Sequence, residues 1–166
     1  DHMAMLTCRG GRLEQYRFCP VVHERSIPCP PDIRFIVASS GVRAEKTGEA
    51  LALYNQASAL ARSVVSALGG TESNWPTVAS AVEAIGVEAC RERLQRVSNL
   101  DSFPLEARVR RFDQFVEESE RLIPAAGDAL VECDLKAFGA AVAMSQIVGA
   151  QKLGNQVNET IFLADA

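Results

Sequence analysis

The sequence predicts an α+β protein, with a small antiparallel sheet portion followed by a helix-rich remainder. Three observations carry this. Short β-prone runs bounded by proline-rich turns fill residues 1–43. From about Thr47 onward, apolar residues recur instead at three- and four-residue spacing. The strand-like and helix-like runs are segregated rather than alternating, which argues against a parallel sheet with crossover helices. The chain is therefore divided into a strand-rich part, 1–43, and a helical part, 44–166.

Residues 1–6 begin with Asp1, a residue suited to the N-cap of a short helix. Strand-like runs follow at 13–18 and 21–27, separated by Cys19-Pro20. A third, 33–39, comes after Pro28-Cys29-Pro30-Pro31; its run Ile33-Arg34-Phe35-Ile36-Val37-Ala38 has the composition of a buried strand. Gly41 marks a turn. Leu51, Tyr54, Ala57, Leu60, Val64 and Leu68 then trace one apolar helix face, which Gly69-Gly70 ends. Thr71 or Ser73 is expected to open the next helix, with Pro76 in its first turn and Val78, Val82 and Ile85 facing inward. A short helix over 88–97 comes next. Asp101 or Ser102 with Pro104 opens a longer one along Leu105, Val109, Phe112, Phe115 and Leu122, and Pro124 is expected to kink or interrupt it. Asp134 is suited to cap the last helix, built on Leu135, Phe138, Val142 and Val148.

Composition excludes several classes. The chain is 48% hydrophobic and 23% charged, with a net charge of -4 and no basic run, so no nucleic-acid footprint is present. No apolar stretch approaches the ~20 residues that cross a bilayer, and no signal-peptide pattern is seen. Cys8, Cys19, Cys29, Cys90 and Cys133 have no zinc or redox spacing and read as buried, reduced thiols of a cytoplasmic protein. His2 and His23 lack companions at metal-ligand spacing. No sequence feature sets an oligomeric state.

The residues alone offer no self-contained active site. Gly10-Gly11 and Gly69-Gly70 are isolated pairs suited to turns, not to cradling phosphate. Glu117, Glu118 and Glu120 read as a solvated helix face, and Phe112, Phe115 and Leu122 as core.

Three stretches nevertheless resemble a known family. Asp1-His2-Met3-Ala4-Met5-Leu6, leading through Gly10-Gly11-Arg12-Leu13 into Gln15-Tyr16-Arg17-Phe18-Cys19-Pro20, is similar to the aspartate-plus-strand segment of galactokinases. Phe35-Ile36-Val37-Ala38-Ser39-Ser40-Gly41-Val42-Arg43, followed by Tyr54-Asn55, resembles their strand ending in Ser-x-Val-Arg and the helix opening with Tyr-Asn. Ala129-Leu130, Asp134, Phe138-Gly139, Ser145-Gln146, Asn155-Gln156-Val157 and Glu159-Thr160 resemble the helical C-terminal half of the galactokinase-like branch of the GHMP small-molecule kinases.

That resemblance implies a helix-rich GHMP-kinase C-terminal-type region and transfer of the ATP γ-phosphate to a sugar hydroxyl. It places Asp1 as the base or orienter of the attacking hydroxyl and Tyr54 against the sugar. The family's histidine after Ser-x-Val-Arg is Ala44 here, its arginine three residues after the tyrosine is Ala57, and its histidine after the last-helix serine is Gln146, which leaves the sugar open. In the family a Gly-rich ATP segment precedes the aspartate and another follows the helices. The chain is thus expected to be a portion of the enzyme, inactive alone, with ATP and Mg²⁺ belonging to the complete protein. The alternative is a non-catalytic helical interaction or sugar-binding module built on the same scaffold.

Overall fold

The computed structural model describes residues 2–42, 49–98, 100–154 and 156–165, without the side chains of residues 4, 49–54 and 165. It begins with the short helix α1 (His2–Thr7) and an antiparallel hairpin of β1 (Arg12–Arg17) and β2 (Val22–Pro28). A β-bulge between Gln15 and Tyr16 shifts the register, so that Gln15 faces Arg25 and Tyr16 faces His23. Across the hairpin His23 Nε2 lies 2.8 Å from Glu14 Oε2, and Ser26 Oγ donates to Glu14 Oε1 at 2.9 Å.

The His23 contact, then the Ser26 hydroxyl and the charges of His23 and Arg12, hold the Glu14 carboxyl below its ordinary value of 4.5, against an opposing desolvation. A carboxyl whose folded-state pKa is lowered binds fewer protons than it does in the unfolded chain. Its stabilising contribution is complete above 4.5 and disappears as pH falls through the lowered value. Protection of the β1 and β2 amides, taken relative to their intrinsic exchange rates at each pH, should therefore fall on acidification from about pH 5 to pH 3, and Glu14→Gln should flatten that dependence. An equally steep dependence in the variant would mean that the pair contributes nothing.

The third expected strand is not found. Residues 33–42 adopt no regular element, and Ile36 and Val37 are 90% and 95% exposed. Strand composition cannot by itself hold an extended chain against solvent; a ladder needs a neighbour, and among the described residues none runs beside this segment.

The helical part follows the apolar periodicity. Helices α2 (Glu49–Ala67), α3 (Val78–Ile85), α4 (Val87–Arg96) and α5 (Leu105–Val116) enclose one core of Val64, Leu68, Val82, Cys90, Leu94 and Phe112. Trp75 packs at its edge under the Arg93 guanidinium, 4.9 Å from the ring centroid, while Arg93 also donates to the Leu68 carbonyl at 3.2 Å. Helix α3 starts later than Thr71 or Ser73 because Thr77 and Ser80 form a reciprocal capping box, whereas residues 71–74 close a turn of their own. Asp101 likewise caps the Phe103 N–H at 2.9 Å instead of opening α5, where Pro104 takes the cap position.

Before Pro124 the expected interruption takes the form of a change of hydrogen-bond register rather than a gap in the helix. A π-helical segment, Glu117–Leu122, leads directly into α6 (Ile123–Val131), and the proline falls in the first turn of α6. Changing the hydrogen-bond register just before the proline lets the chain dispense with its missing donor. Asp134 caps α7 (Leu135–Val148) by accepting from Ala137 N at 2.9 Å; a second π-helical segment, Gly149–Leu153, and α8 (Asn158–Asp165) follow. No helix among the described residues is long and apolar enough to cross a membrane.

Arg25 fastens the hairpin to α6. Its guanidinium donates to Asp128 Oδ1 at 2.6 Å, to the Pro124 carbonyl at 2.9 Å and to Gln15 Oε1 at 2.8 Å. Gly127 lies beneath it, where a Cβ would come within 2.7 Å of Arg25 Cζ. Gly127→Ala must therefore evict a side chain held by three bonds, and should cost about 1–3 kcal/mol and loosen the hairpin to proteolysis. Undiminished thermal stability and protease resistance would show that Arg25 simply relocates.

Candidate functional site

Neither of the two residues assigned to chemistry by resemblance has its side chain among the described residues. Asp1 lies outside the described residues, and Tyr54 belongs to α2 with its side chain outside them. What the structure places are two clefts, each built partly from positions of the resembling stretches.

The first cleft, of about 370 Å³, is formed by Ser39 and Ser40 of the irregular segment and by Asn158, Glu159, Phe162 and Leu163 of α8. The Ser39 and Ser40 hydroxyls accept the Gly41 and Val42 amides at 3.3 Å each, local turns that shape the serine side of the cleft. Positions about 120 residues apart in the chain, from the second and third stretches, thus share one surface.

The second cleft, of about 340 Å³, opens between the end of α5 with its π-helical extension and the end of α7 with the other. Gln114 and Glu118, four residues apart, line one wall; Ser145, Gln146 and Gly149 line the other, and Gln156 returns across it. Ser145 Oγ donates to the Glu118 carboxylate, with its oxygens at 2.9 and 3.0 Å. Gln146 and Gln156 pair reciprocally through their amides, at 2.5 and 3.0 Å. Behind Gln114 stands Arg111, hydrogen-bonded to its amide oxygen; burial pushes the Arg111 pKa down.

Glu118 corrects the sequence reading. It was expected on a solvated face, yet it is half-buried and faces α7. Two signals pointed there: the Gln114/Glu118 spacing, and a polar Ser145-Gln146 pair interrupting an otherwise apolar helix. The register change of the π-helical segment, which turns Glu118 toward α7, has no such signature.

The thiols also depart from expectation. Cys90 is buried, and desolvation raises its pKa, but Cys8, Cys19 and Cys133 are exposed. Among the described residues no three His, Cys, Asp or Glu side chains converge as a metal centre. Neither of these two clefts is lined by a lysine or arginine that could pair with a phosphate.

Comparison of the chain with protein-family models, curated proteins and solved structures gives no match.

Proposed function

We propose that this chain is a portion of a galactokinase-like sugar kinase, whose complete protein transfers the ATP γ-phosphate to a sugar hydroxyl. The observation that carries the reading is the order and content of the three stretches, of which the second and third contribute Ser39, Ser40 and Glu159 to one cleft. In this reading Asp1 accepts or orients the proton of the attacking hydroxyl, and Tyr54 packs its ring against the sugar and hydrogen-bonds one of its oxygens. Nucleotide and Mg²⁺ would be held by parts of the complete enzyme other than the described residues. Their contribution there is to neutralise and orient the transferred group.

The test is sugar-dependent ADP release by the complete protein, assayed with Mg-ATP over a panel of hexoses and pentoses. A sugar-dependent rate for at least one member is expected; no turnover with any of them, from a folded protein, rejects the reading. A second reading, a non-catalytic interaction module, draws on the exposed run Phe35-Ile36-Val37. It predicts no turnover and a protein partner lost on Ile36→Asp.

A further inference from the structure

We propose that the cleft between the two π-helical segments is a binding subsite for a small neutral polyol, a single sugar ring or cyclitol. This does not rest on phosphoryl transfer, and would hold for a protein with no kinase activity.

Geometry comes first. The two π-helical segments found among the described residues, Glu117–Leu122 and Gly149–Leu153, stand on opposite walls of this one cleft. A π-turn departs from the most stable helical hydrogen bonding and recurs at functional sites because it re-aims side chains. Here it lies beside Glu118 on one wall and Gly149 on the other. The absence of a side chain at Gly149 lets Gln156 lie close, since a Cβ there would come within 3.1 Å of Gln156 Nε2.

The donor set then selects the ligand. Three amides, a hydroxyl and a carboxylate present both donors and acceptors within one cleft, as recognition of vicinal hydroxyls requires. Val142 and Leu153 add apolar surface for the C–H face of a ring. An anion is disfavoured, because Glu118 is there and no cation lines the cleft. The volume, about 340 Å³, lies at the small end of ligand pockets and suits one ring rather than a nucleotide. Without ligand the polar groups satisfy one another, Ser145 on Glu118 and Gln146 on Gln156; a polyol would exchange those bonds for its own without leaving a buried group unpaired.

Isothermal titration of the 166-residue chain with galactose and myo-inositol, in the absence of nucleotide, tests this. Saturable binding is expected for at least one of them, weakened about tenfold by Gln156→Ala and by Glu118→Gln. Gln156 lies outside the helices, so its truncation keeps the test valid if Glu118→Gln lowers stability; circular dichroism checks both. No saturation with either polyol up to about 100 mM overturns the inference, as does unchanged affinity in both variants. Tighter binding of inorganic phosphate than of either polyol would also overturn it. Binding lost on Tyr54→Phe but untouched by Gln156→Ala would place the sugar at Tyr54, rejecting this subsite while leaving the kinase reading intact.

Discussion

Arg108→Ala is expected to destabilise the helical part by about 3 kcal/mol, lowering its melting temperature by roughly 10 °C. Arg108 is fully buried, an unusual position for a guanidinium. From α5 its Nη2 donates to the Ser98 carbonyl at 3.2 Å and to the Phe103 carbonyl at 3.1 Å, and so ties down both ends of the connection between α4 and α5. Asp101 sits in the same connection. The nearby Ser63 hydroxyl, the Phe103 amide and the Arg108 charge together hold its carboxyl below the ordinary range. Alanine would orphan two carbonyls and leave a cavity beside Phe112, itself fully buried. Arg108→Met separates the contributions. It keeps the packed stem and removes a buried charge whose Nε and Nη1 find no hydrogen-bond partner, so it should recover about half of the loss. Full recovery by methionine would show that the two carbonyl bonds contribute nothing net. Equal loss in both variants would show that the stem's packing contributes nothing.

Arg108 also marks what the sequence could not tell. The periodicity of Val64, Leu68, Val82 and Phe112 announced the helices and their core, because burial of one face repeats every three or four residues. The caps at Asp134 and the stops at Gly69-Gly70 were legible for a similar reason: each rests on a local rule that a single residue can satisfy. Arg108 occupies an apolar helix face as a charged residue, and only the loop carbonyls that fold over it make the position tolerable. The same holds for Glu118, which depends on Ser145 arriving from another helix. Pairings between distant segments leave no periodic trace, so the sequence could mark Gln114, Glu118, Ser145 and Gln146 as polar positions on their helices but not pair them across a cleft. Residues 33–39 fail in the opposite direction. Their composition satisfies the local rule for a strand, while the ladder that would complete it is not found among the described residues.

On the proposed sugar-kinase reading, Asp1→Asn in the whole enzyme is expected to lower kcat by about 10²–10⁴-fold while leaving KM for the sugar within a few-fold. The substitution is chosen because it separates the two roles open to this residue. Asparagine is about as good an N-cap as aspartate, so a purely structural Asp1, capping α1 (His2–Thr7), would lose little when replaced by it. The amide has nearly the same shape but cannot accept a proton at catalytic pH, and it has lost the negative charge that orients a hydroxyl toward attack. A residue acting on the reacting hydroxyl therefore loses kcat in the asparagine variant, whereas a cap loses stability only in Asp1→Ala, by about 1 kcal/mol. Measured side by side, the pair of variants gives opposite patterns for the two roles. A kcat within about tenfold of the parent in Asp1→Asn would remove the assigned base, and with it the main chemical content of the resemblance at the start of this chain.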